Sequence, residues 1–168
     1  MENNQSTMEK FEIVKCGPYR FVGKSVYARA GQSDDFCITA MKSDWVFEAL
    51  DNLSEYATDD IYDAALVTWD KYDDKNQLMC YTAGRFMKAD TPVPENMDYI
   101  DIPEGYVAKC FARGGDAMSN SLQMLKGKVE QQGYQAATWE WSAEIFPNRH
   151  DVLNNVPNHV MGAYSALR

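Results

Sequence analysis

The feature that most constrains the fold is a short segment that occurs twice. Residues 20–29 (RFVGKSVYAR) match residues 105–113 (GYVAKCFAR) nearly position for position when one residue is dropped, so that Val22 matches Val107. Both segments have the β-branched and aromatic composition of a strand, and a glycine follows each within two residues. The duplication predicts a chain built from two copies of one structural unit.

In each copy, a helix and then two strands follow the repeated strand. The first helix is predicted from Ser43 as N-cap and from Val46, Leu50 and Leu53 at helical spacing. The predicted helices cover residues 43–56 and 118–132, and the predicted strands cover residues 64–72, 78–88, 136–146 and 161–168. Polar turn formers at residues 73–76 predict that the first two of these strands form a hairpin.

A unit of β, α, β, β that is used twice predicts an α+β fold. We expect a tandem βαββ repeat with pseudo-two-fold symmetry, in which one curved antiparallel sheet carries the two main helices on one face. Pro92 and Pro94 break the chain between the copies, so repeat one is placed at about residues 11–90 and repeat two at about residues 97–168. The axis between the repeats predicts a groove suited to a ligand.

Composition narrows the functional class. Residues 1–10 are polar and read as a flexible tail, and the remaining residues of the 168-residue chain form a single domain of ordinary size. The tail lacks the apolar centre of a signal peptide and no apolar run is long enough to span a bilayer, so we expect a cytoplasmic protein without membrane contact. The net charge of −9 argues against direct nucleic-acid binding and favours cationic partners.

Neither metal nor cofactor chemistry is predicted. The four cysteines show no CxxC spacing and are expected to be reduced core residues: Cys16, Cys37, Cys80 and Cys110. His150 and His159 stand near no serine or cysteine nucleophile motif.

Glu144 is an acidic residue in a segment that otherwise has the composition of a buried strand, and its position there needs a physical reason. It lies inside residues 139–148 (WEWSAEIFPN), which read as a buried aromatic strand, and in a regular strand it shares one face with Phe146. One interpretation is a solvated outer face. The aromatic surroundings favour another, a carboxylate whose pKa rises on burial and whose partner is a bound lipophilic cation.

Aromatic side chains would complete such a site through cation–π attraction, although core packing is the alternative for each of them. Tyr81, Phe146 and Tyr164 stand at matching places in the strands expected to line the groove, and Trp45 is a candidate wall. The further candidates are Trp69, Tyr106 and Trp139.

A family resemblance extends this interpretation. The segments that carry it are YTAG at residues 81–84, PVPE at 92–95, IPEGYVA at 102–108 and RGG at 113–115. In order and spacing they resemble the GyrI-like superfamily, which includes the effector-binding domains of AraC-type and MerR-type transcription regulators and stand-alone versions of them. The resemblance implies the βαββ duplication and a groove for drug-like ligands. In multidrug-binding members, an acid on a late strand pairs with the ligand's positive charge and an aromatic follows two positions on; Glu144 and Phe146 stand there.

The sequence departs from that pattern in ways that keep alternatives open. We see no helix-turn-helix ahead of the domain, so we expect no operator binding by the chain itself. Phe146 stands where a tyrosine is more usual, and the last strand lacks the second acid of some members. The main hypothesis is binding of lipophilic cationic small molecules as a sensor or sequestering module. The alternatives are a small-molecule hydrolase that uses Glu144 with Tyr81 or Tyr164, and a module that binds a regulator or gyrase protein.

Overall fold

The computed structural model describes residues 6–29, 40–114, 117–154 and 156–168, so Cys37 lies outside the described residues. The chain divides into two compact units: Gly17–Glu104, which we call the first unit, and Met1–Cys16 with Gly105–Arg168, which we call the second unit. In chain order the elements are β1 (Thr7–Cys16), β2 (Tyr19–Arg29), α1 (Asp44–Asp51), a 3₁₀ turn (Ser54–Tyr56), β3 (Asp63–Asp73), β4 (Leu78–Lys88), β5 (Asp98–Ile102), β6 (Gly105–Arg113), α2 (Ala117–Gln131), β7 (Trp141–Phe146), α3 (Arg149–Leu153) and β8 (Val160–Ala166).

The first unit contains an antiparallel sheet in the order β3-β4-β2-β5. The predicted β3–β4 hairpin is confirmed, and its turn is held by Asp73, whose carboxylate accepts hydrogen bonds from the backbone and side-chain nitrogens of Asn76 at 3.1 and 2.9 Å. Helix α1 starts after Ser43, as predicted, although the Ser43 side chain makes no capping hydrogen bond. The predicted helix over residues 43–56 is in fact α1 followed by the separate 3₁₀ turn.

Strands β2 and β4 approach each other most closely at a pair of glycines. Gly23 lies opposite Gly84 in the ladder. A Cβ on Gly23 would stand 1.9 Å from the carbonyl oxygen of Ala83, and one on Gly84 would stand 1.9 Å from that of Val22. Such contacts are far inside van der Waals distance, so this pairing requires glycine on both strands.

The second unit contains an antiparallel sheet in the order β1-β6-β8-β7, with α2 packed on one face. The helix spacing predicted for α2 is confirmed, because its stripe residues Leu125 and Val129 are fully buried. They form one core cluster with Ala108 and Cys110 of β6 and Ala163 of β8. This cluster defines the helix-bearing face of the sheet.

The α+β class and the β, α, β, β order in both copies are confirmed. Each unit also contains a fourth strand beyond this order. Strand β1 begins at Thr7, inside the predicted tail, and ends inside the range predicted for repeat one, but it pairs with β6 in the second unit. Strand β5 lies inside the range predicted for repeat two, but it pairs with β2 in the first unit. In the part of the chain that the structure describes, no helix has the length and apolar character needed to cross a membrane.

Candidate functional site

Glu144 lies on the helix-bearing face of the second unit. Its Cα partner on β8 is Ala163, and the partner of Ala163 on β6 is Cys110. Directly opposed residues of neighbouring antiparallel strands project to the same side of a sheet. Since Ala163 and Cys110 pack against α2, the Glu144 side chain projects to the same side as that helix.

Glu144 is the least buried residue of its strand. Every other residue of β7 is buried, whereas Glu144 is half-buried. Phe146, two positions along on the same face, is 1% exposed. The α2 core residues pack on β6 and β8, one or two strands away from Glu144. Glu144 is therefore a half-buried acid on the helix-bearing side of the sheet, with the buried Phe146 ring as a neighbour along the strand.

Tyr164 lies on the opposite face of the same sheet. Its Cα partner is Ala143, the residue before Glu144, and a one-residue offset in a strand reverses the face. The Tyr164 ring is buried, with the Phe111 ring edge-on at 6.1 Å and the Lys109 ammonium 4.6 Å from its centroid. The structure thus brings Glu144 and Phe146 to one side and leaves Tyr164 on the other.

The prediction that Trp139 belongs to the strand is wrong. Strand β7 begins at Trp141, and Trp139 lies in the preceding turn, where 44% of it is exposed. The Arg168 guanidinium lies 5.9 Å from the centre of its ring. Aromatic content suggested a strand here, but the backbone turns through residues 138–140 and reaches the sheet only afterwards.

Tyr106 is the other aromatic candidate of the second unit, and it is 60% exposed. It borders a surface groove of about 550 Å³, which we call the C-terminal groove. The residues that line it are Ile13, Tyr106, Gln132, Tyr134, Leu167 and Arg168. Sequence reasoning gave Tyr106 no such neighbours, because β1 and the chain's last residues are far from it in sequence.

The remaining candidates belong to the first unit. Tyr81 is buried between Val26 and Val67 on the neighbouring strands, and its hydroxyl lies 3.6 Å from the Met79 sulfur. Trp45 and Trp69 are both exposed, and the Trp69 ring stands 5.7 Å from that of Tyr72. Tyr81 therefore resembles a core residue, whereas the two tryptophans present accessible rings.

The first unit contains a cavity that the sequence analysis does not predict. It has a volume of about 260 Å³ and is lined by residues of α1, β4 and the segment between α1 and β3, namely Leu50, Asp51, Ser54, Ala57, Thr58, Asp60, Ile61, Arg85, Phe86 and Met87. Arg85 donates hydrogen bonds to Asp63 at 2.7 Å and to Asp51 at 2.6 Å. Burial lowers the pKa of Arg85, but these two carboxylates outweigh burial and raise it. The positive charge of Arg85 is thus neutralised by carboxylates of the same unit.

Helix α3 was also missed, although a local signal was present. The Asn148 side chain accepts a hydrogen bond from the Asp151 backbone nitrogen at 3.2 Å, which is the N-cap arrangement. Asparagine with an aspartate three residues later is a recognisable helix start. Among the described residues, no group of three or more histidine, cysteine or acidic side chains is arranged to hold a metal ion.

Comparison with known proteins gives likeness at the level of the fold. No protein-family model matches the chain, and no curated protein sequence matches it. A solved structure of SAV2435 bound to tetraphenylphosphonium is 10% identical, with 95% of this chain and 94% of that chain covered and a TM-score of 0.63. A putative bacterial transcription regulation protein from Staphylococcus aureus MU50 is 10% identical, with 95% and 98% covered and a TM-score of 0.59.

A third solved structure, EcmrR in its complex with DNA, is 12% identical with a TM-score of 0.58. The match covers 95% of this chain but 57% of EcmrR. The TM-scores and the coverage show that these proteins share the fold over nearly all of this chain, and identities this low extend the likeness no further than the fold.

Proposed function

We propose that this protein binds lipophilic cationic small molecules and that Glu144 is the counter-ion. The observation that carries the proposal is the acidic residue Glu144, which is half-buried in a strand whose other residues are all buried. A positive charge stabilises an ionised carboxylate, and it does so more strongly where the site is partly shielded from water. A ligand with a positive charge inside an apolar shell supplies the charge to Glu144 and apolar surface to Phe146.

The fold likeness supports the ligand class. SAV2435, whose fold this chain shares, was solved with tetraphenylphosphonium, a lipophilic cation. The likeness to a transcription regulation protein and to EcmrR supports a role in sensing or sequestering such compounds, with a regulator as a partner. This agrees with the sequence resemblance to effector-binding domains.

The register of β7 and β8 argues against one form of the hydrolase alternative, the one that pairs Glu144 with Tyr164. A hydrolase that used Glu144 with Tyr164 would need both groups at one substrate. Their side chains project from opposite faces of the sheet, so they cannot meet one substrate from the same side.

The direct test is a matched pair of ligands of similar shape. Methyltriphenylphosphonium carries a positive charge, and triphenylphosphine oxide is neutral. We expect the cation to raise the melting temperature more than the oxide, and at about 100 times its dissociation constant to add roughly 2.7 kcal/mol to the free energy of unfolding. Calorimetric titration gives both dissociation constants directly. Equal affinities for the two compounds would contradict the proposal.

A pair of variants then locates the charge. Glu144→Gln keeps the side-chain shape and should weaken phosphonium binding by about 1.5 to 3 kcal/mol, the range for a hydrogen bond or contact to a charged group. Glu140→Gln is the matched control, because Glu140 is exposed in the turn before β7. We expect the control to change binding by less than about 0.5 kcal/mol. If the two variants behaved alike, Glu144 would be an ordinary surface acid.

A further inference from the structure

The C-terminal groove of the second unit has the size and lining of a small-molecule site. Its volume of about 550 Å³ lies within the usual range for such sites, roughly 300 to 1,000 Å³. Tyr106 and Tyr134 expose 60% and 52% of their surfaces at its border. Ile13 and Leu167 pack against the core cluster under α2 and provide an aliphatic surface. A flat aromatic molecule would meet rings and aliphatic groups together.

The backbone that carries these side chains is held by hydrogen bonds. The Leu167 nitrogen donates to the Tyr106 carbonyl at 3.1 Å, and the Arg168 nitrogen donates to the Gln135 carbonyl at 3.0 Å. The Tyr134 nitrogen donates to the carbonyl of Val129 on α2 at 3.1 Å. The groove is therefore formed before any ligand arrives, which reduces the entropy cost of binding.

Arg168 supplies the cationic side chain at this groove, although the chain as a whole carries −9. Among the described residues that line it, none has an acidic side chain. Within the described part of the chain, the exposed Arg168 guanidinium pairs with no acidic side chain, and it lies 5.9 Å from the centre of the Trp139 ring. A guanidinium presents a planar fork of donors that matches a carboxylate or sulfonate. The exposed Gln132 amide adds a neutral donor.

We infer that the C-terminal groove binds flat aromatic anions, such as aryl carboxylates and aryl sulfonates. The aromatic part lies against Tyr106 and Tyr134, and the anionic group meets Arg168. This site differs from the one proposed at Glu144 in its residues, and its charged side chain is a guanidinium where the other is a carboxylate, so either one can fail without the other.

The probe is 1-naphthalenesulfonate, with the neutral 1-naphthalenesulfonamide as its matched partner. In the unmodified protein, calorimetric titration should show the sulfonate binding at least about fivefold more tightly than the sulfonamide, as expected for a charge-assisted contact in a partly exposed groove. Equal affinities, or no binding of the sulfonate at millimolar concentration, would overturn the inference. This comparison needs no variant and so does not depend on any variant folding.

Two variants assign the contacts. Arg168→Gln should weaken sulfonate binding about fivefold and leave sulfonamide binding unchanged, because only the sulfonate uses the guanidinium. Tyr134→Ala should weaken both compounds, because both use the ring. The matched control is Arg29→Gln, an exposed arginine at the end of β2 in the first unit, which should change neither.

A crossed titration separates this site from the proposed cation site. Arg168→Gln should leave methyltriphenylphosphonium binding within about twofold of the unmodified protein, and Glu144→Gln should do the same for the sulfonate. Loss of both ligands in either variant would mean that one surface binds both compounds, and the inference of a separate anion site would be wrong.

Discussion

Gly84 and Gly23 face each other across β4 and β2 with no space for a side chain on either. This gives a physical reason for one residue of the YTAG segment at residues 81–84. Gly84→Ala would place a methyl group against the Val22 carbonyl and force the two strands apart. We expect the free energy of unfolding to fall by about 1 to 3 kcal/mol or more, as for other overpacked interiors, measured by urea denaturation.

Gly127 is the matched control because it lies in the middle of α2, is exposed, and has no atom within 4 Å of an added Cβ. Alanine at that position removes backbone freedom from the unfolded chain and should stabilise the protein by roughly 0.5 to 1 kcal/mol. If Gly84→Ala were as well tolerated as Gly127→Ala, the close approach of β2 and β4 would be incorrect.

At the scale of the elements, the packing of α2 on β6 buries a thiol, and this burial should make the stability of the fold depend on pH. Cys110 lies under the helix, and its thiol donates to the Ser121 carbonyl at 3.4 Å. Burial raises the pKa of this thiol to about 11, and a backbone hydrogen bond from Ala163 offsets only part of that rise. A thiol with a raised pKa holds its proton more tightly in the folded state, so its contribution to stability is lost as the pH rises.

The expected window runs from the ordinary thiol pKa of about 9 to the folded value of about 11. Within it, the free energy of unfolding of the unmodified protein should fall by up to about 1.4 kcal/mol per pH unit more steeply than that of Cys110→Ser, which has no thiol to ionise. Denaturation curves at several pH values measure both slopes. Parallel slopes would show that Cys110 is not held under α2.

Elements that are specified by neighbouring residues can be predicted from the sequence. The β3–β4 hairpin and the buried stripe of α2 follow from turn formers and helical spacing. Trp139 was misassigned because aromatic content favours a strand and does not by itself locate the strand's first residue. Helix α3 was missed although Asn148 provided its cap.

The sequence does not show which strands pair or in which register they pair. The whole first unit separates β1 from its partner β6 in sequence, and no local pattern specifies such a partner. The placement of Tyr164 shows the same limit at the candidate site. The period of two within β7 correctly predicted that Glu144 and Phe146 share a face, but the relative register of β7 and β8 decides where Tyr164 lies.

At the scale of the whole molecule, the net charge of −9 creates a field that attracts any cation. A cationic ligand could therefore bind for a reason unrelated to Glu144. Salt separates the two effects, because the field of distant surface charges is screened over about 10 Å at 0.1 M, whereas a partly buried contact is screened much less.

We therefore expect the dissociation constants of methyltriphenylphosphonium for the unmodified protein and for Glu144→Gln to rise together between about 20 and about 500 mM salt, each by roughly two- to threefold. Their ratio should stay nearly constant, since Glu144 is half-buried and its contact with the ligand excludes most of the intervening water. Calorimetric titrations of both proteins at four salt concentrations measure this ratio. A ratio that falls towards one at high salt would mean that Glu144 contributes only as one of many surface acids, and that the cation is held by the general field of the protein.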